Sequence, residues 1–175
     1  MVRFLILILA VVVVCGAVIG CAGGSSITAL HPMERAIAPN STLYFSAQSV
    51  IAEDVQAEMV KLEAEVSSKL LEAAVFKAVY LGACTDSCEN TLNIHGVITD
   101  IHKVTGEQRF FAGAFAGKAR LNVDLIICDA VSGDTLGVYE VEGKSGGTGL
   151  AGGTGTAIDR AATQIAELLQ GHVSQ

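Results

Sequence analysis

From Lys118 the chain alternates: Ala119, Leu121, Val123, Leu125 and Ile127 occupy one phase, Lys118, Arg120, Asn122 and Asp124 the other. Successive side chains of a strand project to opposite faces, so this period of two demands a sheet that is buried on one side and wet on the other. Ser132-Gly133-Asp134 then turns the chain into a second alternating run, with Tyr139 and Val141 on the buried face and Glu140 and Glu142 outward. Placing Val123 and Leu125 opposite Tyr139 and Val141 requires partner numbers with an even sum. That means an odd loop of three or five residues, so the pattern predicts a bulged hairpin with Gly133 at positive φ.

Around this hairpin the periodicity changes. Val55, Met59, Leu62, Val66, Leu70 and Ala73 step by fours and threes and predict a helix over about residues 52–74, with Lys61–Glu65 and Glu65–Lys69 as i,i+4 pairs on its wet side. Short strands are expected at residues 42–46 and 75–81, and a longer one at 91–104 with Leu92, Ile94 and Ile98 inward. In the longer strand, strict alternation would put His95 and His102 on opposite faces. Thr156-Ala157-Ile158-Asp159 resembles a capping box opening a last helix to about Gln170, with Ile158, Ala162, Ile165 and Leu169 inward and Gly171 as stop signal. The fold class is therefore α+β: an antiparallel or mixed sheet of four to five strands, a long helix after the first strand, and a C-terminal helix packed on one face.

The N-terminus fixes location rather than fold. Arg3, an apolar run over residues 4–14 and Val18-Ile19-Gly20-Cys21 form the charged, apolar and small-Cys parts of a bacterial lipoprotein signal. Residues 1–20 read as signal peptide, Cys21 as the lipidated N-terminus, residues 21–40 as a poorly ordered tether carrying Pro32 and Pro39, and residues 41–175 as one domain. An uncleaved membrane-spanning helix over residues 4–22 is the alternative. Lipidation implies a bilayer partner through acyl chains and a location in the bacterial envelope, at the outer membrane facing the periplasm where there are two membranes. Without the leader, 18 Asp and Glu face ten Lys and Arg. That balance disfavours nucleic acid and anionic headgroups as partners of the folded part.

Few residues offer chemistry. In an oxidising compartment Cys84 and Cys88 form the most economical disulfide, with bridges from either to Cys128 left open. No metal set and no cofactor is indicated: Cys84, Cys88 and His95 lack a second ligand pair, and no HExxH occurs. Residues 143–156 hold seven glycines. Within them Gly147-Thr148-Gly149-Leu150-Ala151-Gly152 spells a dinucleotide fingerprint, but no room remains for the crossover to a second strand. Gly143-Lys144-Ser145-Gly146-Gly147 spells a nucleophile elbow, but about ten Gly-rich residues intervene before the helix. The segment reads first as a flexible or close-packed connector ahead of a helix. Its sharper reading is a ligand or partner loop built from Ser145, Gly147, Gly149, Gly152, Gly153 and Thr156.

Phe111-Ala112-Gly113-Ala114-Phe115-Ala116-Gly117-Lys118-Ala119-Arg120-Leu121, followed by Asp129-Ala130-Val131-Ser132-Gly133-Asp134-Thr135-Leu136, resembles bacterial lipoproteins carrying the domain of unknown function 4410. The resemblance spans about residues 100–169. It implies an envelope lipoprotein domain with no assigned reaction and brings no catalytic residues. The expectation is a lipid-anchored, non-catalytic binding or scaffolding domain with an envelope protein partner or with copies of itself. A small-ligand receptor or hydrolase using Ser145 and the start of the last helix is the competing reading. Self-association predicts an exposed sheet edge near residues 143–150.

Overall fold

The computed structural model describes residues 24–84, 89–104, 117–146 and 152–174. Among these described residues six strands and two helices follow one another as β1 (Ser26–His31), β2 (Thr42–Ser49), α1 (Gln56–Glu72), β3 (Ala78–Leu81), β4 (Thr91–His102), β5 (Arg120–Asp129), β6 (Thr135–Lys144) and α2 (Thr154–Gly171). The strands make one mixed sheet in the order β1-β6-β5-β4-β2-β3. Only β2 runs parallel to its neighbours, β3 and β4; the other contacts are antiparallel. The α+β class holds, with six strands rather than four to five and the long helix after the second strand.

Both helices lie on one face. Leu62, Val66 and Leu70 of α1, and Ala157, Ile158, Ala161, Ala162, Ile165 and Leu169 of α2, are buried with Leu43, Phe45, Ile94, Ile98, Leu121, Val123, Leu125, Ile127 and Val141 of the sheet. Burying a Leu or Ile side chain stabilises by about 1.5–3 kcal/mol, so this inner layer dominates the fold's stability. Among the described residues the opposite face carries no helix. The β5–β6 hairpin has Val123 opposite Val141 and Leu125 opposite Tyr139, a bulge after Ile127, and Gly133 at φ +75°. Its even register follows from the apolar phases alone.

Three sequence expectations are corrected. The segment read as tether carries β1, which pairs with β6 from Ser26 opposite Glu142, and its Met33 and Ile37 are buried. The Ile37 N–H donates to the His172 carbonyl (2.8 Å) and the Met33 N–H to the Tyr139 hydroxyl (2.8 Å), so the segment clasps the end of α2. Of the self-association edge expected near residues 143–150, β6 is covered by β1 up to Glu142, and residues 147–150 lie outside the described residues. Finally, β4 is irregular between Ile98 and Asp100. The extra residue shifts the phase of the pleat, so His102 faces Arg120 on the same open side as His95, which faces Ile126.

Candidate functional site

Ser145 is fully buried. The Ala119 N–H donates to its Oγ (2.9 Å) while its own N–H donates to the Ala119 carbonyl (2.9 Å), a double clasp that closes the ends of β5 and β6. A hydroxyl held this way cannot meet a substrate from solvent. Two residues earlier, a Cβ on Gly143 would collide with the Ala157 carbonyl, so α2 packs on bare backbone there. Gly152 sits at φ +64°, and a Cβ on it would collide with Thr156 Oγ1. Gly153 is the N-cap of α2, and the Thr154 hydroxyl accepts the Val104 N–H at 3.1 Å. The helix thus starts at Thr154, two residues before the expected capping box. Asp159 turns instead to Lys69 of α1 (2.8 Å), which the sequence pairs with Glu65, and this hydrogen bond raises the Lys69 pKa. Gly147 and Gly149 lie outside the described residues, as do Cys21 and residues 1–20. The described part of the glycine segment is a packing device.

Cys84 is disulfide-bonded and Cys128 is a free thiol, which removes both bridges to Cys128; Cys88 lies outside the described residues. The Asn93 side chain holds the backbone of Cys84, accepting its N–H at 2.8 Å. Among the described residues no His, Cys, Asp and Glu gather into a metal-binding group. His95 Nδ1 meets Ser46 Oγ at 2.9 Å, and His172 Nδ1 meets the Leu168 carbonyl. At the hairpin end, Asp129 accepts the Ser132 and Val131 N–H groups. These bonds hold its carboxyl below the usual range, with Arg35 at 3.8 Å adding to the effect. The cavity beside this pair measures about 60 Å³, room for a water or two rather than a metabolite.

The open face of the sheet is sorted by charge. Asp124 stands opposite Glu140, with Glu142 further along β6. At the end of the sheet the sign reverses with Arg120 opposite Lys144, and His102 extends the same row onto a third strand. With Lys118 they line an open groove of about 260 Å³. Arg120 reaches Asp100 at 2.9 Å and Lys144 reaches Glu142 at 2.5 Å. Lys118 has no ion pair among the described residues and is exposed. Sequence reading missed this cluster because its members stand 42 positions apart at the extremes and only the strand register brings them together.

A six-stranded mixed sheet with both described helices on one face defines the class as an α+β fold. The chain belongs to the family described as "Domain of unknown function (DUF4410)", whose model matches residues 33–149. No curated protein matches its sequence. Among solved structures it is similar to a single-substitution variant of the PelC dodecamer from Paraburkholderia phytofirmans, with a TM-score of 0.55 and 12% identity over 87% of this chain and 100% of that one. A second PelC dodecamer structure from the same organism gives a TM-score of 0.54 and 13% identity, over 88% of this chain and 100% of the other. At these identities the likeness is one of fold. Among the described residues no helix is long and apolar enough to cross a membrane.

Proposed function

We propose that the chain is a lipid-anchored envelope protein without a reaction of its own, which acts as a scaffold by assembling with copies of itself. The observation that carries this reading is the pair of sheet edges left unpaired among the described residues. β1 closes one side and the four-residue β3 the other, with Tyr80 and Leu81 about half exposed. β1 runs opposite to β3, so a copy placed beside another meets it with antiparallel edges, and such head-to-tail contacts close into a ring when the rotation allows. The fold likeness to a protein described as a dodecamer supports the same reading. So does the buried, doubly bonded Ser145, since the competing hydrolase or receptor needs that hydroxyl in a cavity. The lipobox at Val18-Ile19-Gly20-Cys21 supplies the anchor.

Two measurements test it. Intact-mass analysis of membrane-extracted protein should show a chain starting at Cys21 with acyl chains attached; an unmodified thiol with the leader retained sinks the anchor. Native mass spectrometry of the same material should show a defined multimer that dissociates on dilution. A strict monomer at all concentrations sinks the scaffold.

A further inference from the structure

Ser26 pairs with Glu142, so the chain preceding it leaves the sheet at the end of β6 that carries Lys144. Four residues lie between Cys21 and Ser26, five Cα–Cα steps with a reach of at most about 18 Å. The groove of His102, Lys118, Arg120 and Lys144 lies at this same end, level with the row that Lys144 and Arg120 share. We propose that this groove is a phospholipid headgroup site, by which the anchored domain seats the end of its sheet against the anionic surface of its own bilayer. The inference rests on lipidation at Cys21 and adds to it a partner chemistry, the lipid phosphate, and an orientation.

Like charges directly opposite each other across strands destabilise a sheet unless something neutralises them. The carboxylates at this end do so for the two cations of the row and leave Lys118 over. Asp100 and Glu142 each hold one cation of the row, while Glu53 and Glu58 are bound to Lys103 on the helix side. Among the described residues, Lys118 is left facing the groove without a carboxylate of its own, with the His102 ring beside it. The remaining open-face acids, Asp124 and Glu140, lie further along the strands, away from this end. The balance of 18 acids to ten bases weighs against anionic headgroups for the folded part as a whole, but the chain collects Lys118, Arg120 and Lys144 at the end that its tether draws toward the membrane. Attraction to a charged surface fades within about a Debye length of 8–10 Å, so cations at the tethered end interact with headgroups while acids a few residues along the strands are screened.

The test uses the full acylated chain reconstituted into vesicles of phosphatidylcholine alone or with phosphatidylglycerol, treated with a water-soluble amine-acetylating reagent and read by peptide mass spectrometry. Lys118 and Lys144 should react about fivefold more slowly on the anionic vesicles than on the neutral ones, whereas Lys77, at the opposite end of the sheet, should react equally on both. Arg120→Glu should return Lys118 and Lys144 to the neutral-vesicle rate. Lys118→Gln, an exposed position outside every ion pair of the described residues, leaves folding intact and should do so in part for Lys144. Equal rates on both vesicles, with the chain floating on each, overturn the headgroup site and leave the anchor standing. A chain that floats on neither overturns the anchor and the proposal with it. Equal protection by millimolar inorganic phosphate without vesicles assigns the groove to a soluble anion and also overturns the proposal.

Discussion

Ser145 shows what a residue's letter leaves open. Its neighbours spell an elbow, but whether its hydroxyl faces solvent depends on a clasp with Ala119, 26 positions away. Ser145→Ala leaves the Ala119 N–H buried without that acceptor and should cost about 1–3 kcal/mol in urea denaturation. Asp129 carries a charge-dependent share of stability. The Ser132 and Val131 N–H groups lower its folded pKa below the usual 3.8, so the contribution is present above that value and is lost as pH falls through the lower folded one. Comparing urea midpoints at about pH 5 and about pH 2, the native chain should lose more stability than Asp129→Asn, whose amide keeps an acceptor but has no proton to take up. Equal losses would mean that the Asp129 charge contributes nothing.

At the scale of elements, those with a strong local period were legible. The apolar stripe of α1, the inward set of α2 and the even register of the β5–β6 hairpin all follow from spacing, because each buries a face continuously along its own length. β1 was not legible, since one intermediate position among six gives no alternation and its reason to exist is β6, more than a hundred residues on. The bulge in β4 was equally hidden, because Thr99 and Asp100 carry no glycine or proline to announce it. Without that bulge His102 would turn inward and the basic row would not form. The clasp after β1 depends on Ile37, buried against the end of α2 and bonded to it through both backbone groups. Ile37→Ala should cost about 2–4 kcal/mol. Hydrogen exchange should localise the loosening to residues 26–40 and the last turn of α2, and an unchanged exchange pattern there would show that the segment is not held by this contact.

For the whole molecule, the decisive asymmetry is a sheet covered on one face, with both lateral edges unpaired among the described residues. A long, flat and apolar edge would aggregate without limit; here β3 is only four residues long and β1 is kinked between Ala29 and His31, which restricts pairing to a short, defined register. Such edges suit a closed assembly better than an open fibre. On β3 the Tyr80 ring packs against Tyr44 of β2 at 5.1 Å between centroids, so the edge presents a fixed aromatic surface beside exposed Leu81. Tyr80→Glu places a charge in that contact without entering the core. It should convert the proposed multimer to monomer in native mass spectrometry while shifting the melting temperature of the subunit by only about 1–2 °C, what a surface change of about 0.5 kcal/mol produces. A multimer that survives Tyr80→Glu intact would move the interface off this edge and onto the open face of the sheet, where Asp124 and Glu140 would then require a cationic neighbour.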